Sequence, residues 1–262
     1  MPNKILFAIL ITLTTTGTIR AAEAGKPLRA LLILGGCCHD YAKQKDILKQ
    51  GIEKRARVEV DIVYTADSTT AARFDIYKES DWAKTYDVVI HNECSSDVKE
   101  MPYVQNILAA HKTIPAVNLH CAMHCYRTGT DDWFQFVGIQ SSAHGPQEPI
   151  SIHFVDKQHP VTKGLGNWTT IREELYNNIK VFGTAHPLAR GTQTVKQRDG
   201  STKDVEYVVA WANDYGGTRV FSTTLGHNNA TVGDDRYLDL VTRGLLWACD
   251  RLDHGYLKAG GK

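Results

Sequence analysis

Short apolar runs that end in glycine or histidine set the strongest limit on this fold. Ala30 to Leu34 is apolar at every position and stops at Gly35-Gly36. A strand with no polar alternation must be covered on both faces, as in a parallel sheet between helices. Val58 to Tyr64, Tyr86 to His91 and Ile114 to His120 read as further strands. Between them, Lys43 to Arg55 has helical spacing through Ile47, Leu48 and Ile52. Met101 to His111 has it through Val104, Ile107 and Leu108, and Pro102 suits a first helical turn, where a missing N–H costs nothing. Strands alternating with helices form βαβ units, and hence an α/β parallel sheet flanked by helices.

The second half is less regular. Ile150 to Val155, Ile179 to Thr184 and Arg219 to Thr224 look like strands. Thr192 to Lys196 and Val205 to Trp211 flank Asp199-Gly200, a hairpin signal that predicts a late antiparallel extension. Asp234 to Leu252 closes the chain as a helix, with Leu238, Val241, Leu245, Ala248 and Leu252 along one face. No repeat or low-complexity linker divides the chain, so one domain over residues 28–252 is expected.

The N-terminus reads as a leader. Lys4 precedes the apolar run Ile5 to Ile11, and Ala22-Glu23-Ala24 is a small-x-small cleavage site. A signal peptide over residues 1–24 is expected, with a cut after Ala21 as the alternative. The protein is then exported, periplasmic or extracellular. Nothing later approaches the ~18 apolar residues that would span a membrane. With Lys+Arg 30 against Asp+Glu 29, the chain also lacks the basic excess of a nucleic-acid binder.

Export permits disulfides among the 6 cysteines. Cys37 and Cys38 are adjacent, Cys121 and Cys125 are four apart, and Cys94 and Cys249 stand alone, which matches no zinc ribbon. Small buried residues with at most one disulfide are expected; sequence leaves the pairing open.

In open parallel sheets, ligands bind outside the carboxyl ends of the strands. Those ends carry Gly35 to Asp40, with His39 and Asp40; His91-Asn92-Glu93-Cys94; Asn118-Leu119-His120-Cys121; and Leu225-Gly226-His227-Asn228. Histidines converging on one edge mark that edge as a site. His124 follows His120 by four, a spacing that on a helix would suit a metal pair.

Taken together, these stretches resemble the ThuA-like, or trehalose-utilisation, family from about Arg29 to Asp250. Gly35-Gly36 with His39-Asp40 and Asn118-Leu119-His120 carry the first part of the likeness. His159 to Leu165 with Glu174-Leu175-Tyr176, Val208 to His227, and Gly244 to Ala248 carry the rest. The resemblance implies a flavodoxin-like fold of the class I glutamine amidotransferase type. In strand order, His120 then takes the place of the amidotransferase nucleophile, and His227 falls near its activating histidine. Two imidazoles supply neither hydroxyl nor thiol, so they suit proton transfer or metal ligation better than acyl transfer. The resemblance also points to Glu174 as a carboxylate near the histidines. His39, Asp40, Asn92, His144 and Tyr176 are candidate substrate contacts, and Trp211 and Tyr215 could stack on a sugar ring.

The expected function is acid–base chemistry on a carbohydrate or keto-sugar, with His120 and His227 moving protons and Glu174 assisting. A divalent metal could polarise the carbonyl, and a sugar dehydrogenase in the same pathway is a possible partner. Two rivals are a non-catalytic sugar-binding module and an amidohydrolase that uses Cys121.

Overall fold

The structure, a computed structural model, describes residues 25–252 and 255–258. The expected leader lies outside the described residues. In chain order the strands are β1 (Leu28–Gly36), β2 (Val58–Tyr64), β3 (Val88–Cys94), β4 (Ala116–Leu119), β5 (Ile139–Gln140), β6 (His144–Glu148) and β7 (Ser151–Phe154). They continue with β8 (Trp168–Thr169), β9 (Glu173–Tyr176), β10 (Lys180–Val181), β11 (Ala185–Lys196), β12 (Thr202–Tyr215) and β13 (Thr218–Thr223). The helices are α1 (Tyr41–Arg55), α2 (Met101–Ala110), α3 (Asp132–Val137), α4 (Asn229–Val232) and α5 (Asp235–Ala248). Short 3-10 helices cover Asp75–Lys78 and His120–His124.

The main sheet has 9 strands in the order β2-β1-β3-β4-β13-β12-β11-β7-β8. From β2 to β13 every pairing is parallel. Numbered by their place among the parallel strands, they run 2-1-3-4-5, the flavodoxin-like order expected for this fold class. From β13 outward every pairing is antiparallel, which is the predicted extension. Its centre is the β11–β12 hairpin, far longer than the runs read from sequence because polar residues continue both strands.

Alternation along the central strands builds two cores. Ala30, Leu32 and Leu34 of β1 face α1 and α5, while Leu31 and Ile33 face α2 and α3. On the first side, Leu238, Val241, Leu245 and Ala248 of α5 are buried, as their spacing required. Arg55, nearly buried at the end of α1, ties the two helices together through Asp235 and Asp239. The closing helix stops at Ala248, short of the expected Leu252, and Cys249 forms its C-cap. The strand expected over 179–184 shrinks to Lys180–Val181, because Ile179 and Val181 face solvent and find only β5 to pair with.

Two glycine-dependent turns shape the carboxyl edge. Gly36 has φ +96, and a Cβ there would lie 2.2 Å from the Cys94 carbonyl oxygen. Gly36→Ala should therefore lower stability by about 2 kcal/mol, from strain and a backbone clash. The check is the urea midpoint, and a midpoint equal to that of the unmodified protein would show that the turn can relax. Gly226, with φ +124, lets its loop approach closely, since a Cβ would stand 3.4 Å from the His120 Cβ and 2.8 Å from the Tyr237 hydroxyl.

Candidate active site

Three loops leave the parallel edge side by side. The loop after β1 carries His39, the turn after β4 carries His120, and the loop after β13 carries His227. A fourth side chain, Glu174, comes from β9, which belongs to the small β6–β9 sheet set over that edge.

His120 sits at φ +44 where β4 turns into a 3-10 helix. A non-glycine residue in the left-handed region at a strand-to-helix turn has the geometry of a nucleophile elbow. The side chain there is an imidazole, and it is almost fully buried. Its Nδ1 lies 2.6 Å from the Thr224 carbonyl, which can only accept, so Nδ1 carries the proton. Nε2 is left as a lone pair, 3.0 Å from His39 Nε2 and 3.3 Å from the Tyr176 hydroxyl.

Glu174 gathers the cluster. Its Oε2 lies 3.5 Å from His120 Nε2, and its Oε1 lies 3.3 Å from His227 Nδ1 and 3.7 Å from His144 Nε2. Gln147, opposite Glu174 in the β6–β9 register, donates to Oε1 at 3.1 Å. Burial alone would raise the Glu174 pKa, but His120 and His227 together hold it well below the usual carboxylate range. The same carboxylate holds His227 above the ordinary imidazole value, against the opposing effect of burial. His39 moves the other way, to about 2, through burial first and then its proximity to His120 and His227. The site thus pairs an imidazole that holds a proton more tightly than usual with one that holds it far less tightly, the asymmetry that acid–base work uses.

His39 and His227 open onto a crevice of ≈ 510 Å³, also lined by Cys38, Asp40, Asn228 and Asn229. Asp40 stands on its rim, accepting from Asn229 at 2.8 Å and pairing with Lys43 at 3.1 Å. His144 is half-exposed beside Glu174, and Tyr176 is buried against His120. These residues gather as the sequence reading placed them.

Other candidates fall elsewhere. Asn92 is buried below the edge and donates to Gln44 at 3.4 Å. Gln44 in turn donates to the Gly226 and His227 carbonyls, so Asn92 supports the loop from beneath. Trp211 is 0% exposed and donates to the Val137 carbonyl, leaving no ring face for a sugar. Tyr215, half-buried, packs edge-on against Phe136 at the margin of the core on the α3 side. The His120–His124 metal pair does not form. Residues 120–124 are a 3-10 helix, in which positions four apart no longer share a face. His124 instead stacks on Tyr176 at 4.0 Å and bonds to Ser141 at 2.8 Å.

The cysteines also depart from expectation. Two disulfides form, Cys37–Cys38 and Cys94–Cys121, where at most one was expected. Cys121 therefore offers no thiolate, the species a cysteine nucleophile requires. Cys125 and Cys249 remain free.

The sequence matches the family described as "Trehalose utilisation" over residues 29–248. The chain belongs to the ThuA family. No curated protein matches it. Among solved structures, a ThuA-like protein from Parabacteroides merdae superposes with TM-score 0.67 at 21% identity, covering 89% of this chain and 92% of that one. One from Bacteroides uniformis gives 0.66 at 17% identity, covering 88% of this chain and 95% of that one. A cold-adapted β-galactosidase from Rahnella sp. R3 gives 0.54 at 12% identity, with 86% of this chain matched to 31% of that one. At these identities the likeness concerns the fold.

Three positioning groups in this ThuA chain escaped sequence reading. Gln147 braces Glu174, the Thr224 carbonyl fixes the His120 tautomer, and Glu173 accepts from the His227 backbone N–H at 3.0 Å. Glu173 adjoins the Glu174-Leu175-Tyr176 motif, so the pair of glutamates was the available signal. A backbone carbonyl leaves no trace in a sequence.

Proposed function

We propose that this ThuA-family protein is an exported enzyme that acts on a carbohydrate or keto-sugar by proton transfer beside a carbonyl. One observation carries the reading: three imidazoles meet one buried carboxylate at the mouth of a crevice on the carboxyl edge. The family's description as trehalose utilisation supplies the substrate class. His120 Nε2, a lone pair held in place by the Thr224 carbonyl, takes the proton from the carbon beside the carbonyl. His227, kept protonated by Glu174, gives a proton to the carbonyl oxygen as it becomes an enol hydroxyl. One proton is removed and one delivered, so the step balances as an enolisation. Glu174 stabilises the imidazolium that forms, and Asp40 and His144 stand where sugar hydroxyls would enter.

The test is a screen of the purified protein against sugars and their keto derivatives, followed by turnover measurements on variants. Turnover of at least one keto-sugar is expected. Cys121→Ala and His124→Ala should retain turnover within a few-fold, since neither side chain offers a group to the crevice. Loss of turnover in Cys121→Ala alone, with the fold intact by circular dichroism, would overturn the imidazole-centred reading. Sugar binding with no turnover of any compound would make the protein a binding module instead.

A further inference from the structure

We infer that His39, His120, His227 and Glu174 form a binding site for one divalent transition-metal ion, of the class that takes imidazole and carboxylate ligands. This rests on the acid–base reading only for the substrate; the site itself is argued from its donors. One ligand atom from each of the four residues lies within 4.8 Å of all the others. Ligands on a tetrahedral ion at about 2.0–2.1 Å stand roughly 3.3 Å apart. The separations of 3.0 Å between the His39 and His120 Nε2 atoms and 3.5 Å from His120 Nε2 to Glu174 Oε2 bracket that value, and the other carboxylate oxygen, Oε1, lies 3.3 Å from His227 Nδ1.

The tautomers point the same way. His120 Nδ1 faces the Thr224 carbonyl, and His39 Nδ1 faces the Cys37 carbonyl at 3.2 Å. A carbonyl only accepts, so His120 Nδ1 is the donor and its Nε2 a lone pair; His39 Nδ1 also lies 3.0 Å from the Tyr41 hydroxyl, and the tautomer that donates to Cys37 turns a His39 Nε2 lone pair toward His120. In that tautomer the two Nε2 lone pairs, 3.0 Å apart, converge on a point that one cation could share. His227 Nδ1 supplies an independent sign: it is buried and 3.3 Å from a carboxylate oxygen, yet it makes no hydrogen bond. A metal-binding histidine typically donates its other N–H to a carbonyl, and a ligating carboxylate is itself hydrogen-bonded. His39, His120 and Glu174, the last through Gln147, each have that support. The nearby sulfur atoms do not compete, because Cys37, Cys38, Cys94 and Cys121 are all in disulfides.

Oxygen and nitrogen donors of this kind suit zinc, iron, nickel or manganese rather than copper(I) or an iron–sulfur cluster. Held by these four residues and expanding to a fifth position, the ion would supply Lewis-acid polarisation of the substrate carbonyl.

The experiment uses the purified full-length protein with its disulfides intact, stripped by a chelator and dialysed. Zinc is titrated in by calorimetry, and cobalt(II) by visible absorption. Binding of one equivalent of each ion is expected, with a cobalt spectrum free of thiolate charge-transfer bands. His39→Ala and Glu174→Gln should each weaken zinc binding by at least about 100-fold, more than the loss of a supporting residue costs. His124→Ala should bind zinc as the unmodified protein does. His39→Ala should leave the fold intact, since its side chain lines the crevice, and circular dichroism of both variants checks this. No zinc binding by the unmodified protein, undiminished binding in both variants, or thiolate bands with cobalt would each overturn the site. Stoichiometric zinc with no sugar turned over would sink the carbohydrate reading and keep the metal site. Turnover that persists in chelator-treated protein that binds no zinc would do the reverse.

Discussion

With His120 replaced by alanine, turnover of the substrate found by the screen should fall by roughly 10²–10⁴, the usual cost of removing a proton-transfer group. The imidazole is fixed at both ends, by the Thr224 carbonyl on Nδ1 and by His39 and Tyr176 around Nε2. Glu174→Gln should show a loss of the same order, and it is the cleaner variant. The amide keeps the volume and can still accept from Gln147, so the β6–β9 pairing has no reason to change. It removes the charge that raises the pKa of His227. The measurement is turnover at saturating substrate beside a thermal melt. A melt near that of the unmodified protein with turnover reduced a hundredfold or more would place the effect in chemistry. Full turnover in either variant would end the assignment of these residues.

Much of this site was legible because open parallel sheets put their chemistry in one place. Once the apolar runs around Leu32, Ile90 and Val117 are taken as parallel strands, the residues after each must share an edge. His39, His120 and His227 follow from that rule alone, with no knowledge of side-chain contacts. Glu174 was legible only through the family resemblance. It sits on a short strand outside the main sheet, and periodicity in Glu173–Tyr176 is too brief to register. The failures have a common cause too. Trp211 lies in the apolar run Val208 to Ala212, which suits a core residue as well as a stacking ring, and α3 covers it through Val137. That helix went unread because Asp132–Val137 is a single short element with no spacing to measure. The cysteine pairing was beyond reach for a different reason: Cys94 and Cys121 meet only because β3 and β4 are adjacent in the sheet.

The largest loss of stability is expected at a residue that touches none of the crevice. Glu93, at the carboxyl end of β3, is 0% exposed. Its Oε1 accepts from the Tyr77 hydroxyl at 2.9 Å and the Tyr126 hydroxyl at 3.1 Å, and lies 2.9 Å from His91 Nδ1. A relay fixes the protons. His111 Nδ1 donates to the Ile114 carbonyl at 2.9 Å, so His111 Nε2 accepts from His91 Nε2, also at 2.9 Å. His91 thus spends its Nε2 proton on His111, and its Nδ1 faces Glu93 and the Tyr77 hydroxyl. Glu93→Ala removes that partner and opens a cavity. Tyr77 can turn to His91 Nδ1, which is 3.2 Å away, but the Tyr126 hydroxyl has Glu93 as its acceptor and is left bare. An orphaned buried hydroxyl costs about 1–3 kcal/mol and the cavity roughly 2–3 kcal/mol more, so a loss of about 4 kcal/mol is expected. That is a large share of the 5–15 kcal/mol typical of a folded domain. Glu93→Gln keeps an acceptor for Tyr126 and most of the volume, and should lose only about 1–2 kcal/mol. Urea unfolding of both variants orders them, and the glutamine variant gives a reading even if the alanine one fails to fold. Equal midpoints for glutamine and alanine would mean that packing, and not the hydrogen-bonded proton relay, holds the end of β3.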